Sequence, residues 1–370
     1  MNADISTNEM LAMVHALLDF DLHTEMSENM MLLTLFELRA THQRLARHDD
    51  LRQELLPREF TKVLQAIGPN GVECSVNVTD GGKTNPNGQF ICALLIPSRN
   101  PLLGADHAKA VMMLWRWLFG GEKFPDLLDH KSYFPTPMLR APSEDQMLKV
   151  NYRTSNSNHK KLLNACQVFC NKVLHQGRGQ GQRLLTCIGG SDLEEDIKRM
   201  CDYVNNDQNM SYLLNLAVHG SAAASGWDYR DLQSIDSPHW IDPEAEEFAD
   251  DDGRSLVEQL LPDFAVQRRL VVLARSKAQT KQEVIDSRLA TAMGVVNAVR
   301  QWCVLILTTA ASRMRDANGD LIKGSDVARV YQRFGTKNRL YQRAVFKSAG
   351  FRRLVAKVAA REELELNGTE

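Results

Sequence analysis

No stretch of this 370-residue chain approaches the roughly 20 successive apolar residues of a membrane-spanning helix, so no span is expected. The opening MNADISTNEMLAMVHALLDFD carries acids and no basic leader, and does not read as a secretory signal. Strong positive charge is missing too. With 44 Lys and Arg against 46 Asp and Glu, the net charge is −2. That excludes a uniformly basic, histone-like protein but leaves room for a local basic groove. No internal repeat of roughly 20–50 residues is present. The seven cysteines are an odd number. With no signal ahead of them they point to free thiols in a reducing compartment, and the sequons at Asn77 and Asn367 are then chance matches.

Catalytic signatures are also wanting. The ten histidines include no HExxH, and there is no GxSxG elbow. Gly82-Lys83-Thr84 ends like a phosphate loop, but Asn77 stands where its first glycine belongs, and the stretch falls in a hairpin tip. Gly177-Arg178-Gly179-Gln180-Gly181 lacks the GxGxxG spacing and follows a helical pattern, whereas a dinucleotide loop follows a strand. Asp316-Ala317-Asn318-Gly319-Asp320 mimics a calcium loop, with Leu321 in place of the glycine and Val327 in place of the bidentate glutamate. Cys166 and Cys170 lie four apart on an apolar face with no second Cys/His pair at zinc spacing, so they read as buried thiols. No catalytic residue, cofactor or metal ligand is expected.

What is present is helical patterning. The chain is 44% hydrophobic, enough for two domains with their own cores. Leu11, Val14, Leu17 and Leu18, then Met31, Leu32, Leu35, Phe36 and Leu38, predict two helices, the second capped by Ser27. Residues 59–67 read as a short helix stopped by Gly68-Pro69-Asn70-Gly71. Val72, Cys74, Val76 and Val78 alternate with polar residues, and 90–96 is a second apolar run, which together predict a β-hairpin over 72–96. Helices are expected over 105–119, 158–174, 192–204, 209–218, 254–276, 280–315 and 325–347, with a proline-bearing loop over 124–145. Residues 226–258 hold 11 acids against two basic residues and read as a hinge or exposed acidic loop. The expected fold is mainly α, with two helical lobes. An N-terminal lobe (11–225) carries the hairpin. A hinge (226–253), a C-terminal lobe (254–347) and short arms (1–10 and 348–370) complete it.

Cations gather in two places. Residues 323–361 contain 11 Lys and Arg and one acid, with aromatics interleaved. Arg339, Arg343 and Lys347 recur every four residues, as do Arg329 and Arg333, which on a helix forms a row suited to a regularly charged backbone. The second group is Lys149, Tyr152, Arg153, Lys160, Lys161, Lys172, Arg178 and Arg183. Here the glycines would let backbone N–H groups approach phosphate oxygens. The groups flank the acidic segment, so a groove between the lobes would draw on both.

The order of these features resembles the nucleoproteins of non-segmented negative-strand RNA viruses, most closely the pneumovirus type. Three stretches carry the resemblance: FTKVLQAIGPNGVECSVNVTDGGKTNPNGQFICALL, YRTSNSNHKKLLNACQVFCNKVLHQGRGQGQRLL and SRLATAMGVV. The first is similar to the family's N-terminal hairpin. The second matches its Tyr-Arg, its apolar helix ending in Lys-Leu and its Gly/Arg turn, and the third its Ala-Met-Gly motif. The order covers roughly residues 10–300, and a 41.7 kDa chain fits a compact member from a fungal or invertebrate virus. The resemblance implies two helical lobes clamping single-stranded RNA, with terminal arms hooking protomers into a helical nucleocapsid. By position, Arg153 matches the groove arginine, Lys172 the lysine ending the apolar helix, and Arg178 the arginine of the turn. The family's next helix carries a basic doublet. Here Cys187 and Ile188 occupy that place, so Arg183 or Lys198-Arg199 stands in for it.

The expected RNA contacts are therefore Lys149, Tyr152, Arg153, Lys160, Lys161, Lys172, Arg178, Arg183, Lys198, Arg199, Arg313, Arg339, Tyr341 and Arg343, with Tyr152, Tyr331 and Tyr341 available for stacking. Implied partners are RNA, further copies of the chain, a viral phosphoprotein and a polymerase. Implied locations are the virion and host cytoplasm, with the nucleus as the alternative. The rival readings are a helical adaptor whose basic helix binds an acidic protein or anionic membrane, and an enzyme with an unrecognised polar pocket.

Overall fold

The computed structural model describes residues 5–19, 21–79, 91–141, 143, 145, 147–170, 173–201, 216–235, 241–278, 280–286, 288–316, 320–327 and 339–367. It is mainly helical with one small three-stranded antiparallel sheet. In chain order the elements are α1 (Thr7–Leu18), α2 (Glu28–Gln43), α3 (His48–Leu51), β1 (Glu59–Leu64), β2 (Val72–Thr79), β3 (Ile91–Leu95), α4 (Ala105–Leu118) and α5 (His130–Tyr133). There follow α6 (Tyr152–Ala165), α7 (Gln176–Gly189), α8 (Glu194–Met200), α9 (Val218–Ala224), α10 (Leu256–Leu260), α11 (Pro262–Lys277), α12 (Lys281–Asp286), α13 (Leu289–Ala311) and α14 (Ala349–Leu366). The chain divides into two compact units. One comprises Met1–Lys109 and Phe134–Ser237, the other Ala110–Tyr133 and Pro238–Glu370. The segment from Ala110 to Tyr133, read from sequence as part of the N-terminal lobe, thus belongs with the second unit.

In the first unit, local capping starts α1, α2 and α6. Ser6 accepts from Glu9 N at 3.2 Å while Glu9 Oε2 accepts from Ser6 N at 2.6 Å, a reciprocal cap for α1. Ser27 caps α2 as its sequence suggests, accepting from Met30 N. Helix α2 is buried on almost every side, charged residues Glu37 and Arg39 included. It is the axis of this unit. The sheet runs β1-β2-β3, with Glu59 opposite Asn77 and Ser75 opposite Leu95. Val72, Cys74, Val76, Leu94 and Ile96 pack from it onto Leu185, Leu193, Ile197 and Tyr229.

The sheet corrects one expectation. Residues 59–67 were expected as helix, but 59–64 form β1. Six residues are too few to separate a 3.6-residue from a two-residue period, and Phe60, Thr61 and Val63 favour an extended chain. Pairing with β2 decides the matter. Gly68 (φ 66°) turns the chain, and a Cβ there would lie 2.7 Å from the Ile235 carbonyl oxygen. The hairpin tip, Gly82-Lys83-Thr84 included, lies outside the described residues.

The second unit is built on α13, whose inward residues from Leu289 to Ala311 are enclosed. Trp302 stacks on Trp117 at 6.2 Å, and Phe124 meets Phe264 at 5.9 Å. By length and apolar composition α13 could cross a membrane, contrary to the expectation that no run is long and apolar enough. Two-thirds of its most apolar stretch is buried within the protein, as a core helix requires. Pro262 opens α11, where its missing N–H costs nothing, so the run 254–276 splits into α10 and α11. The expected C-terminal tail is instead the 18-residue helix α14, capped by Ser348. It lies so close to residues 246–248 that a Cβ on Gly350 would fall on the Phe248 carbonyl oxygen.

Candidate nucleic-acid interface

Helix α6 carries the clearest cationic face. Asn151 caps it, accepting from Thr154 N at 2.9 Å. Ser155, Asn158, His159, Leu162 and Leu163 turn inward. The opposite stripe of Arg153, Ser157, Lys160 and Asn164 is exposed, at the spacing of one helical face. No acid lies on this helix. Around it, Lys149 Nζ donates to Gln53 Oε1 at 2.8 Å, and Lys161 Nζ donates to the Glu25 carbonyl at 2.6 Å. The half-exposed Tyr152 ring has the Arg52 guanidinium 5.5 Å from its centroid. The helix stops at Cys166, with Gln167 left-handed (φ 54°). The expected run to 174 is therefore shorter, and Phe169 beyond it is 83% exposed. Lys172 lies outside the described residues.

The glycine-rich stretch is not a turn. Gly177, Gly179 and Gly181 lie within α7, and Gly177 and Gly181, one turn apart, face α2. A Cβ on Gly177 would lie 3.0 Å from Thr41 Cβ, and one on Gly181 would meet the His42 carbonyl. The glycines serve helix–helix approach rather than anion contact. Arg178 turns inward as a result. It is 9% exposed, and its Nη2 donates to the Cys201 carbonyl. The expectation that it reaches an RNA backbone is corrected on that geometry. Arg183, further along α7, is exposed.

Other expected contacts are already engaged within the protein. Lys198 pairs with Glu194 (2.9 Å) and Glu195 (3.3 Å), and Arg199 with Asp196 (3.6 Å), so this doublet brings no net positive field. In the second unit, Arg313 pairs with Glu362 and Glu363. Arg339, Arg343 and Lys347 do not form a helical row, because 339–342 and 344–347 are separate 3-10 turns. Arg339 lies over the rings of Phe119 (4.9 Å) and Trp115 (5.5 Å). Arg343 is half-buried, and desolvation lowers its guanidinium pKa. Tyr341 is fully enclosed against Phe346, which rules out base stacking by that ring in this conformation. Arg329, Tyr331 and Arg333 lie outside the described residues.

The acidic segment is a clip rather than an exposed hinge. Glu244 receives both Arg268 and Arg300, and Asp242 pairs with Arg300 at 3.1 Å. Glu247 pairs with Lys357 of α14, Arg353 donates to its carbonyl at 2.6 Å, and the Phe248 side chain is buried. Much of the acidity is counter-charge for arginines of the same unit.

One cluster has no sequence motif, because its members are 11 and 111 positions apart. Glu37 (α2), His48 (α3) and His159 (α6) are all buried, and their ligand atoms lie within 4.8 Å of one another. Burial pushes the His48 imidazole down to about 3, so it is neutral at physiological pH. All seven cysteines are unpaired thiols. No family model matches the chain, and no curated protein matches it in sequence.

Proposed function

We propose that the chain is a nucleoprotein of the negative-strand RNA virus type. In this reading it coats genomic and antigenomic single-stranded RNA without sequence preference, polymerises into a helical nucleocapsid and serves as the polymerase template. The two-lobed clamp, the terminal arms, the phosphoprotein and polymerase partners, and the virion and host cytoplasm as locations belong to the same reading.

One observation carries it. Residues 146–191 contain seven Lys and Arg and no Asp or Glu, in a chain whose net charge is −2. Helix α6 lies inside this stretch and turns Arg153 and Lys160 outward among neutral polar side chains. Cations follow phosphates, and Ser and Asn add hydrogen bonds without repelling them, whatever the base sequence. Tyr152 offers a ring at the same edge.

The test is fluorescence anisotropy of a labelled oligouridine across a salt series, with wild type and Arg153→Ala/Lys160→Ala. The wild type should bind with steep salt dependence. The double variant should bind about tenfold more weakly, with a slope lower by about 1.4, since each lost single-strand contact removes about 0.7. Unchanged affinity and slope in a natively folded variant would remove α6 from the interface. A wild-type protein that binds no RNA at low salt, and forms neither rings nor filaments in negative stain, would defeat the reading.

A further inference from the structure

We infer that Glu37, His48 and His159 form a binding site for one divalent transition-metal ion of the zinc class, which braces α2, α3 and α6. His48 Nε2 and His159 Nε2 lie 3.5 Å apart, and Glu37 Oε2 lies 3.3 Å from His159 Nε2. A tetrahedral ion with bonds of about 2.0–2.1 Å separates its ligand atoms by about 3.3–3.4 Å. One edge of the triangle already has that length, at 3.3 Å, and a second is close to it, at 3.5 Å. The third, His48 to Glu37, lies within 4.8 Å and is the one an ion would draw in.

The donor chemistry points the same way. When both rings are neutral with their protons on Nδ1, both Nε2 lone pairs point into the gap, and this is the tautomer that ligates an ion. Glu37 is wholly enclosed, and its Oε2 makes no aligned hydrogen bond although it faces the histidines. Its near neighbour there is His159 Nε2 at 3.3 Å, a contact that a bound ion would replace by ligating both atoms. Its other oxygen, Oε1, accepts from Ser155 Oγ at 2.6 Å. That bond holds the carboxylate plane and leaves Oε2 toward the gap, the arrangement by which outer residues orient metal ligands. The imidazole rings are inclined at 72°, centroids 5.1 Å apart, so they meet edge to face rather than in a stack.

The Arg52 guanidinium, which acts on His48 electrostatically, opposes a dication here. The Glu37 carboxylate supplies the one negative charge in the triad and offsets it in part. His₂Glu with a fourth position for water is a set that zinc accepts, and nickel and copper would compete for it on affinity alone. The ligands come from three helices, one of which carries Arg153 and Lys160, so the ion would fix that helix against the core. The site stands independently of the RNA reading.

The experiment uses the full chain, stripped with chelator and titrated with zinc chloride by calorimetry, and separately with cobalt(II) followed by visible absorption. One ion per chain should bind, with a tetrahedral cobalt band and a raised Tm. His48→Gln and His159→Gln should each weaken binding at least tenfold and abolish the band. Wild type needs no mutant to be decisive, because natively folded wild type without saturable zinc binding or a cobalt band would overturn the site. Equal binding by wild type and the folded double variant would overturn the ligand assignment.

Discussion

The Lys109 ammonium lies 2.8 Å from Glu59 Oε2, with both side chains sealed from solvent. The pair joins α4 to β1. Asn77 of β2 donates to the other Glu59 oxygen, and the Phe36 ring of α2 lies 5.4 Å from the ammonium. Removing one partner leaves a buried charge without compensation. Lys109→Met should therefore destabilise the protein by about 3–5 kcal/mol, read by urea denaturation. The double change Lys109→Met/Glu59→Leu should cost less than Lys109→Met alone. A single variant within about 1 kcal/mol of wild type would mean that water reaches the pair.

The three glycines of α7 should separate cleanly. Gly177→Ala and Gly181→Ala push a methyl into Thr41 and His42 of α2, so each should cost about 1–3 kcal/mol. Gly179 meets only the Arg183 guanidinium at 3.7 Å, so Gly179→Ala should be neutral or stabilise by up to about 1 kcal/mol through helix propensity. Thermal midpoints of the three variants decide this. Equal effects at all three positions would contradict the helix–helix packing.

The acidic clip predicts unequal acids. Glu244→Gln removes the charge that faces Arg268 and Arg300 and should cost about 1–3 kcal/mol. The exposed Asp251 should accept Asn within about 0.5 kcal/mol. Deleting 242–252 would take Phe248 out of the core as well, so such a deletion reports on folding. Substitutions at Asp251 and Asp252 are the cleaner probe of partner binding, and a Glu244→Gln protein with wild-type Tm would return the segment to a passive loop.

His107 on α4 gives the protein an acid-sensitive step. Burial lowers its imidazole from 6.5 to about 4. The unfolded chain therefore takes up this proton first as pH falls. Stability from this group is complete above pH 6.5 and is lost between 6.5 and about 4, by about 3 kcal/mol. His107→Gln removes that component, so its stability should fall less steeply over the same window. Parallel pH profiles for the two proteins, measured by denaturant titration, would show that His107 does not titrate on unfolding.

Local features were legible in the sequence. The Ser27 cap acts within three residues, and the β2–β3 hairpin declares itself by alternation at 72–78. Where local and tertiary preferences disagreed, reading by pattern went astray. Glycines at 177, 179 and 181 favour a loop by propensity, yet packing of Gly177 and Gly181 on α2 holds them in a helix. The 339–347 row satisfied a four-residue period but falls into two 3-10 turns with Tyr341 buried against Phe346.

The sequence by itself determined where charge is concentrated, because an acid-free run from 146 to 191 is a property of the chain whatever its fold. It also determined where helices such as α1, α2 and α6 begin, because caps are short-range hydrogen bonds. Only the tertiary structure decided which cations face solvent. It turned Arg153 and Lys160 outward, and it spent Arg178, Arg313 and Arg300 on internal partners. It alone brought Glu37, His48 and His159 together. Contacts between distant segments depend on how helices pack, and no pattern within one segment carries that information.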